Sequence, residues 1–234
     1  MQMNERESLE LSVILPCRNE ENTIEKCVEE VYSFFDKQQL VGEVLVVDNA
    51  STDTSLEKAL ACGVRLVQEE RIGYGRALRT GIAHSRGQVI IMGDCDTTYD
   101  FLHMDAMYQM LSDERCDMVI GNRFEGGLEK GSMSWLHQIG VRFLSFLGRK
   151  CFHCEVKDFH CGLRGMTRKA AEKFEFHTDG MEFATEMIAE ASKNGLRIMQ
   201  VPVPLRKCKD KRKSKLRTFR DGLRHLVYMI KNSN

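Results

Sequence analysis

Residues 87–101 read GQVIIMGDCDTTYDF. A short apolar run, Val89 to Met92, is followed at once by Asp94, Asp96 and Asp100. A run with no polar alternation that ends in carboxylates reads as a central parallel strand, buried on both faces, delivering acids to its carboxyl end. In open α/β sheets that end is where ligands bind. Two aspartates one residue apart suit a hard divalent cation, because Mg²⁺ takes one or two protein carboxylates plus phosphate oxygens and water. Turn and helix-cap chemistry is the competing use for the same acids.

The sequence before this stretch has the same rhythm. LSVILP, residues 11–16, predicts a buried first strand closed by Pro16. Ile24, Cys27, Val28, Val31, Phe34 and Phe35 then recur at helical spacing, with Glu20 and Glu21 expected in the first turn. EVLVVD, residues 43–48, predicts a second buried strand ending in Asp48. NASTDTS is a turn and cap, SLEKALACG a short helix closed by Gly63, and VRLVQ a third strand. RIGYGRALRTGIAHSRG is a glycine-rich entry into another helix, whose GYG opening lets backbone amides approach phosphate and makes Gly75 and Arg76 nucleotide-binding candidates. FLHMDAMYQMLSD predicts a helix and DMVIGNRF a fifth strand. Alternating strands and helices imply crossover connections and a mainly parallel sheet.

After Phe124 the rhythm breaks. EGGLEKGSMS has no strong period. WLHQIGVRFLSFLGRKCF is helical, with Trp135, Leu136, Ile139, Phe143, Phe146 and Leu147 along one side. CFHCEVKDFHCGLRGM is short and mixed, TRKAAEKFEF and FATEMIAEASKNG read as helices, and LRIMQVPVPLR as a strand whose Pro202 and Pro204 place it at an edge. Residues 206–217 hold eight Lys or Arg in twelve positions, before a last helix, TFRDGLRHLVYMIK.

Composition narrows the function classes. The 234 residues carry 34 basic and 34 acidic side chains, so total charge gives no argument for nucleic acid. The basic run lacks the interleaved aromatics of a single-strand binder and suits anionic lipid and phosphate better. Nine cysteines, an odd number outside any small disulfide framework, point to a reduced cytoplasmic compartment. The polar start MQMNERESLE lacks a signal peptide's apolar core, and no apolar run reaches the ~20 residues of a membrane span. Cys151 and Cys154 with His160 and Cys161 depart from zinc-site spacing.

As an ordered set, VILPCRNEENTI, VLVVDNASTDTS, RIGYGRALRTGIAHSRGQVIIMGDCDTTYDF, VIGNRF, DFHCGLRGM and SKLRTFRDG resemble family-2 glycosyltransferases, nearest the dolichyl- or polyprenyl-phosphate sugar synthases. The resemblance covers about residues 10–230 and implies one GT-A (Rossmann-like) α/β domain with a mainly parallel central sheet. Residues 1–124 would form its nucleotide-sugar half and 125–234 its acceptor side.

Residue by residue, the resemblance implies that Pro16, Arg18 and Glu20 contact the nucleotide and that Asp48 hydrogen-bonds its base. Asn49 replaces an acid often found next, whereas Ser51 and Asp53 keep the pattern. Asp94 and Asp96 match the D-x-D that holds Mg²⁺ or Mn²⁺ against the donor diphosphate. Cys95 fills the variable middle position, and Thr98 stands near a place where relatives often have Gln. Arg123, Arg164, Lys213 and Lys215 match basic positions near the diphosphate and acceptor phosphate.

The implied reaction is inverting transfer from a UDP- or GDP-sugar to a polyprenyl phosphate, with charge on the departing diphosphate met by metal and basic side chains. A phosphate acceptor arrives ionised; a hydroxyl acceptor needs a carboxylate base, for which Glu182, Glu186 and Asp158 are the candidates. Transfer to a hydroxyl and a catalytically silent nucleotide-binding protein are the alternative functions. The expected partners are a nucleotide-sugar, the lipid acceptor and a peripheral membrane surface at the inner face, not nucleic acid.

Overall fold

The computed structural model describes residues 9–208 and 218–233. Its centre is one seven-stranded sheet of order β3-β2-β1-β4-β6-β5-β7. The middle strands are β1 (Leu11–Cys17), with six of seven residues buried, and β4 (Val89–Met92), buried throughout. They run parallel, Leu11 beside Val89 through Ile14 beside Met92. β2 (Gly42–Asp48) and β3 (Arg65–Gln68) continue the parallel order on the other side of β1. Each fully buried Val, Leu or Ile contributes ~1.5–3 kcal/mol, so the apolar runs hold the sheet centre. β1 extends through Pro16 to Cys17, and Pro16 lies where the β4 ladder has already ended.

Helices cover these strands. α1 (Ile24–Gln38) buries Ile24, Cys27, Val28, Val31, Phe34 and Phe35 as its spacing predicts. It starts after Glu20 and Glu21, which belong to the loop before it. α2 (Ser55–Ala61) and α3 (Tyr74–His84) follow β2 and β3. The stretch 101–113 divides into a 3₁₀ turn at Phe101–His103 and α4 (Asp105–Ser112).

The second half departs from parallel alternation. β5 (Met118–Asn122) is not beside β4. The mixed segment supplies β6 (Arg164–Thr167), which enters between them antiparallel to both. β7 (Ile198–Pro202) then pairs parallel with β5 at the sheet's edge, as its prolines predict. α5 (Arg123–Gly126) is a single turn, and only Arg168–Ala171 of TRKAAEKFEF is helical, as α7. α6 (Trp135–Phe152), α8 (Phe183–Lys193) and α9 (Thr218–Asn232) pack on one another. None of the described helices is long and apolar enough to cross a membrane. All nine cysteines are free thiols.

Candidate active site

The carboxyl ends of β1 and β4 open into a cavity of about 1300 Å³. The loops after β1 and β2 are tied by small polar side chains. Ser51 Oγ accepts from the Asn19 amide (3.0 Å), Asn19 Oδ1 from the Thr52 amide (2.7 Å), and Ser55 Oγ from the Glu20 amide (2.6 Å). These bonds place Pro16, Arg18 and Glu20 in the cavity wall. Thr23 donates to the Glu20 carboxylate (3.0 Å) and shares that hydroxyl with the Cys95 carbonyl (2.8 Å), joining this loop to the D-x-D.

Asp94 and Asp96 share the cavity's floor. Asp94 is half-buried, and desolvation together with the Asp96 charge pushes its carboxyl up to about 7, although the Tyr74 hydroxyl bonds it. Gly162 packs so closely that a Cβ there would lie 2.4 Å from Asp94 Oδ2. Thr97 takes a left-handed φ of 66°, and Thr98 fixes Asp96 Oδ1 through its amide (3.0 Å) and hydroxyl (2.5 Å). Two carboxylates in mutual repulsion fit a divalent cation, which would relieve that repulsion. Among the described residues no group of three or more His, Cys, Asp or Glu could hold a metal, so phosphate and water would complete the shell and the Cys151–Cys154 segment makes no such cluster.

Other predicted donor residues stand elsewhere. Asp48 is buried and accepts from the Ser51 amide at 3.3 Å, holding the turn after β2 rather than lining the cavity. The neighbouring Asn49 does line it. Its amide donates to the carbonyls of Glu69 (3.0 Å) and Arg71 (2.9 Å) and its oxygen accepts from Gly73 (2.8 Å). Asn49, the departure from the family pattern just after β2, is therefore a staple for the loop that carries Tyr74. Gly75 and Arg76 are not in the lining. A Cβ on Gly75 would meet Phe183 Cβ and the Thr178 carbonyl at 2.7 Å, and Arg76 lies 3.5 Å from Asp179. Here the glycines serve close packing on the segment before α8.

The opposite wall is basic and apolar. Asn122 Oδ1 caps α5 and brings Arg123 into the lining. Asp158, fully buried, grips Arg123 through Nε and Nη2, both at 2.8 Å, and also accepts from the amides of Arg123 (3.1 Å) and His160 (3.3 Å). Arg164 is the largest fully buried side chain; it donates to the carbonyls of Cys161 (3.0 Å), Ala184 (2.9 Å) and Phe159 (3.1 Å). Its charge has no carboxylate partner among the described residues.

The three acids suited to a general base are all engaged. Asp158 is consumed by Arg123. Glu186 accepts from His177 (2.8 Å) and from the Thr178 amide (3.0 Å) and hydroxyl (2.6 Å). Glu182 immediately precedes α8 and is paired with Arg224 at 3.2 Å. None of the three lines the cavity.

Sequence reasoning placed Arg206 only in the basic run of the acceptor side and missed Cys208. Arg206 pairs with Glu30 (3.0 Å) and with Asp100, its amide reaches Thr98 O (2.9 Å), and Cys208 Sγ approaches Asp96 O (3.4 Å). The chain after β7 is thus pinned to the D-x-D loop; the only signal was its place at the start of the basic run. Lys213 and Lys215 lie outside the described residues, although Cys208 before them and Arg220 after them both line the cavity.

On the apolar side, Leu136, Ile139, Phe143 and Leu144 of α6 and Leu223 and Leu226 of α9 complete the lining. The α6 stripe does not pack on the sheet: Trp135 is 72% exposed, Ile139 55% and Phe143 58%, and Leu223 and Ile230 of α9 are 61% and 69% exposed. Leu147 alone of the predicted stripe packs against the core.

This architecture is shared. The protein is 36% identical over 224 residues to the low-salt glycan biosynthesis hexosyltransferase Agl6 of Haloferax volcanii, covering 95% of this chain and 54% of that one. It therefore spans about half the length of that relative. It is 27% identical to the dolichyl-phosphate hexose transferase of the same organism, covering 84% of this chain and 83% of that one. Its fold matches a crystal structure of glucosyl-3-phosphoglycerate synthase from Mycobacterium tuberculosis in complex with Mn²⁺, UDP and glucosyl-3-phosphoglycerate. The TM-score is 0.76 at 22% identity, over 97% of this chain and 81% of that one. The glycosyl transferase family 2 model matches residues 12–174. The chain belongs to glycosyl transferase family 2.

Proposed function

We propose that this protein moves a sugar from a UDP- or GDP-sugar to a polyprenyl phosphate, with inversion at the anomeric carbon and in the presence of Mg²⁺ or Mn²⁺. One observation carries the choice of acceptor: the acceptor wall sets Arg123 and Arg164 beside apolar side chains, while the three candidate bases, Asp158, Glu182 and Glu186, are engaged and lie outside the lining. A phosphate monoester arrives as an anion and needs no base. The dolichyl-phosphate relative and the Mn²⁺ and UDP of the structural neighbour agree with this reading.

In this mechanism the loops after β1 and β2 hold the nucleotide, with Pro16, Arg18, Glu20 and Asn49 lining its place. Asp94 and Asp96 would hold the cation, which when bound supplies positive charge to the departing diphosphate. Arg123, oriented by Asp158, meets the acceptor phosphate. An acceptor oxygen attacks the anomeric carbon as the bond to the diphosphate breaks. Lys213 and Lys215 belong to the segment between two cavity-lining residues, which supports a phosphate-binding role. The exposed α6 and α9 stripes extend the apolar lining outward, which supports a bilayer surface from which the lipid is drawn. The test is transfer from a panel of UDP- and GDP-sugars to polyprenyl phosphate and to the matching alcohol, with and without chelator. A lipid-linked phosphodiester formed only with metal supports the reading; equal transfer to the alcohol overturns it.

A further inference from the structure

His160 lines the cavity, yet neither of its ring nitrogens has a hydrogen-bond partner, and both are buried. A buried polar group left unpaired costs ~1–3 kcal/mol, so such a group in a functional wall points to a missing ligand. The surroundings define that ligand's charge. Arg123 uses Nε and Nη2 on Asp158, which leaves Nη1 without a protein partner among the described residues. Arg164 has only carbonyl and thioether partners. His225 stands edge-on to His160, ring centroids 4.3 Å apart, and shares its Nδ1 with the Thr185 hydroxyl (2.8 Å). Burial, then His225, Arg123 and Arg164, hold the His160 imidazole well below its ordinary pKa, so at neutral pH it is uncharged with one N–H to give. A cation is repelled here, and an oxyanion is attracted.

We propose that His160 is an acceptor-binding residue whose ring N–H donates to a non-bridging oxygen of the acceptor's phosphate monoester, beside Arg123. This rests on the polyprenyl-phosphate reading. One short loop sets the whole arrangement: Asp158 orients Arg123 and accepts from the His160 amide, and Cys161 O receives Arg164. The edge contact with His225 fixes the ring plane. A site built to hydrogen-bond a group rejects analogues that lack it, because its own polar atoms then stay unpaired. His160 thus adds, beside Arg123, to the preference for prenyl phosphate over prenol.

The experiment measures KM for a short-chain prenyl phosphate and for the nucleotide-sugar in three variants. His160→Phe keeps a ring against His225 but has no N–H, and should raise acceptor KM about tenfold or more, as expected for a hydrogen bond to a charged group. Its donor KM should stay within about twofold. His160→Ala should behave alike, and His160→Asn, which restores an N–H, should recover most of the loss. His160→Phe at wild-type acceptor KM, or a loss shared equally by donor and acceptor, overturns the inference while wild-type transfer to prenyl phosphate leaves the broader reading standing. Wild-type transfer to prenol alone overturns both.

Discussion

The two walls of the cavity solve opposite electrostatic problems. On the donor wall, acids are set against each other at the ends of parallel strands, and Asp94 is pushed up to about 7 by burial and by Asp96. On the acceptor wall, guanidinium groups are fixed from behind: Asp158 grips Arg123, and carbonyls around the start of β6 grip Arg164. Apart from Arg18, the charged side chains of the donor wall are the acids Glu20, Asp94 and Asp96, whereas Arg123 and Arg164 make the acceptor wall basic. A single substrate of one sign cannot satisfy both. A cation carrying a diphosphate can meet the first, and a separate anion the second.

The largest effect should come from the donor wall. Asp96→Asn is expected to lower kcat about 10³-fold or more, on the scale of removing one electrostatic stabiliser at a developing charge. It should leave thermal stability unchanged or slightly raised, because it removes a like charge beside Asp94. Steady-state kinetics and a melting curve together check this. Retained turnover, or collapse of the fold, would break the assignment of charge demand to this wall.

On the acceptor wall the corresponding loss should be in folding. Asp158→Asn leaves Arg123 buried without its counter-ion, and losing one partner of a buried pair costs about 3–5 kcal/mol. Urea unfolding of the variant should show that destabilisation. Glu182→Gln, whose partner Arg224 is 43% exposed, should cost less than about 1 kcal/mol.

The acceptor wall should also fail first in acid. Burial, followed by the Arg164 and Arg224 charges, lowers His225 from 6.5 to about 4. Between those values the unfolded chain binds a proton that the folded chain refuses, so stability falls as pH drops from about 6.5 toward 4. The full span corresponds to about 3 kcal/mol. In His225→Leu this slope should flatten, which unfolding measured at several pH values would reveal.

The walls also differed in how far they could be read from the sequence. β1, β2 and β4 announce themselves as apolar runs closed by proline or acid, and β1 pairs parallel with both of the others, as alternation with helices implies. The acceptor wall depends on β6, a four-residue strand that crosses between β4 and β5 in reverse. β4 is equally short but wholly apolar, whereas Arg164, Gly165, Met166 and Thr167 form no apolar run, and their partners come from distant chain positions. The same limit explains Glu186, Asp158 and Gly75. Residue type and spacing marked them as chemical, but what each does is settled by backbone groups that only the fold brings near. The α6 stripe shows the converse case: helical spacing identified an apolar face but could not say whether protein or solvent covers it.

That face gives a smaller, tenfold-scale effect. Trp135→Asp with Phe146→Asp removes exposed apolar area outside the cavity lining and without touching the core. Flotation with anionic vesicles should fall about tenfold, since each buried CH₂ contributes ~0.8 kcal/mol and the change deletes several such groups. Transfer to a water-soluble prenyl phosphate should be unaltered. Unchanged flotation would assign the stripe to some other contact.

The smallest effect separates two neighbours on the donor wall. Asp48 and Asn49 leave β2 together, but Asp48 bonds the Ser51 amide behind the wall while Asn49 reaches the cavity and staples Glu69, Arg71 and Gly73. If Asp48 contributes mainly through its turn, Asp48→Asn should change donor KM less than about twofold, because Asn forms the same Asx turn. Asp48→Ala should raise it about threefold to fivefold with kcat little altered, the pattern of a contact remote from the bond being broken. Asn49→Ala should exceed both, since it frees the loop that presents Tyr74 to Asp94. The ranking of these three donor KM values tests whether the acid or its neighbour positions the nucleotide. Asp48→Asn worse than Asn49→Ala would return the base-binding role to the acid itself.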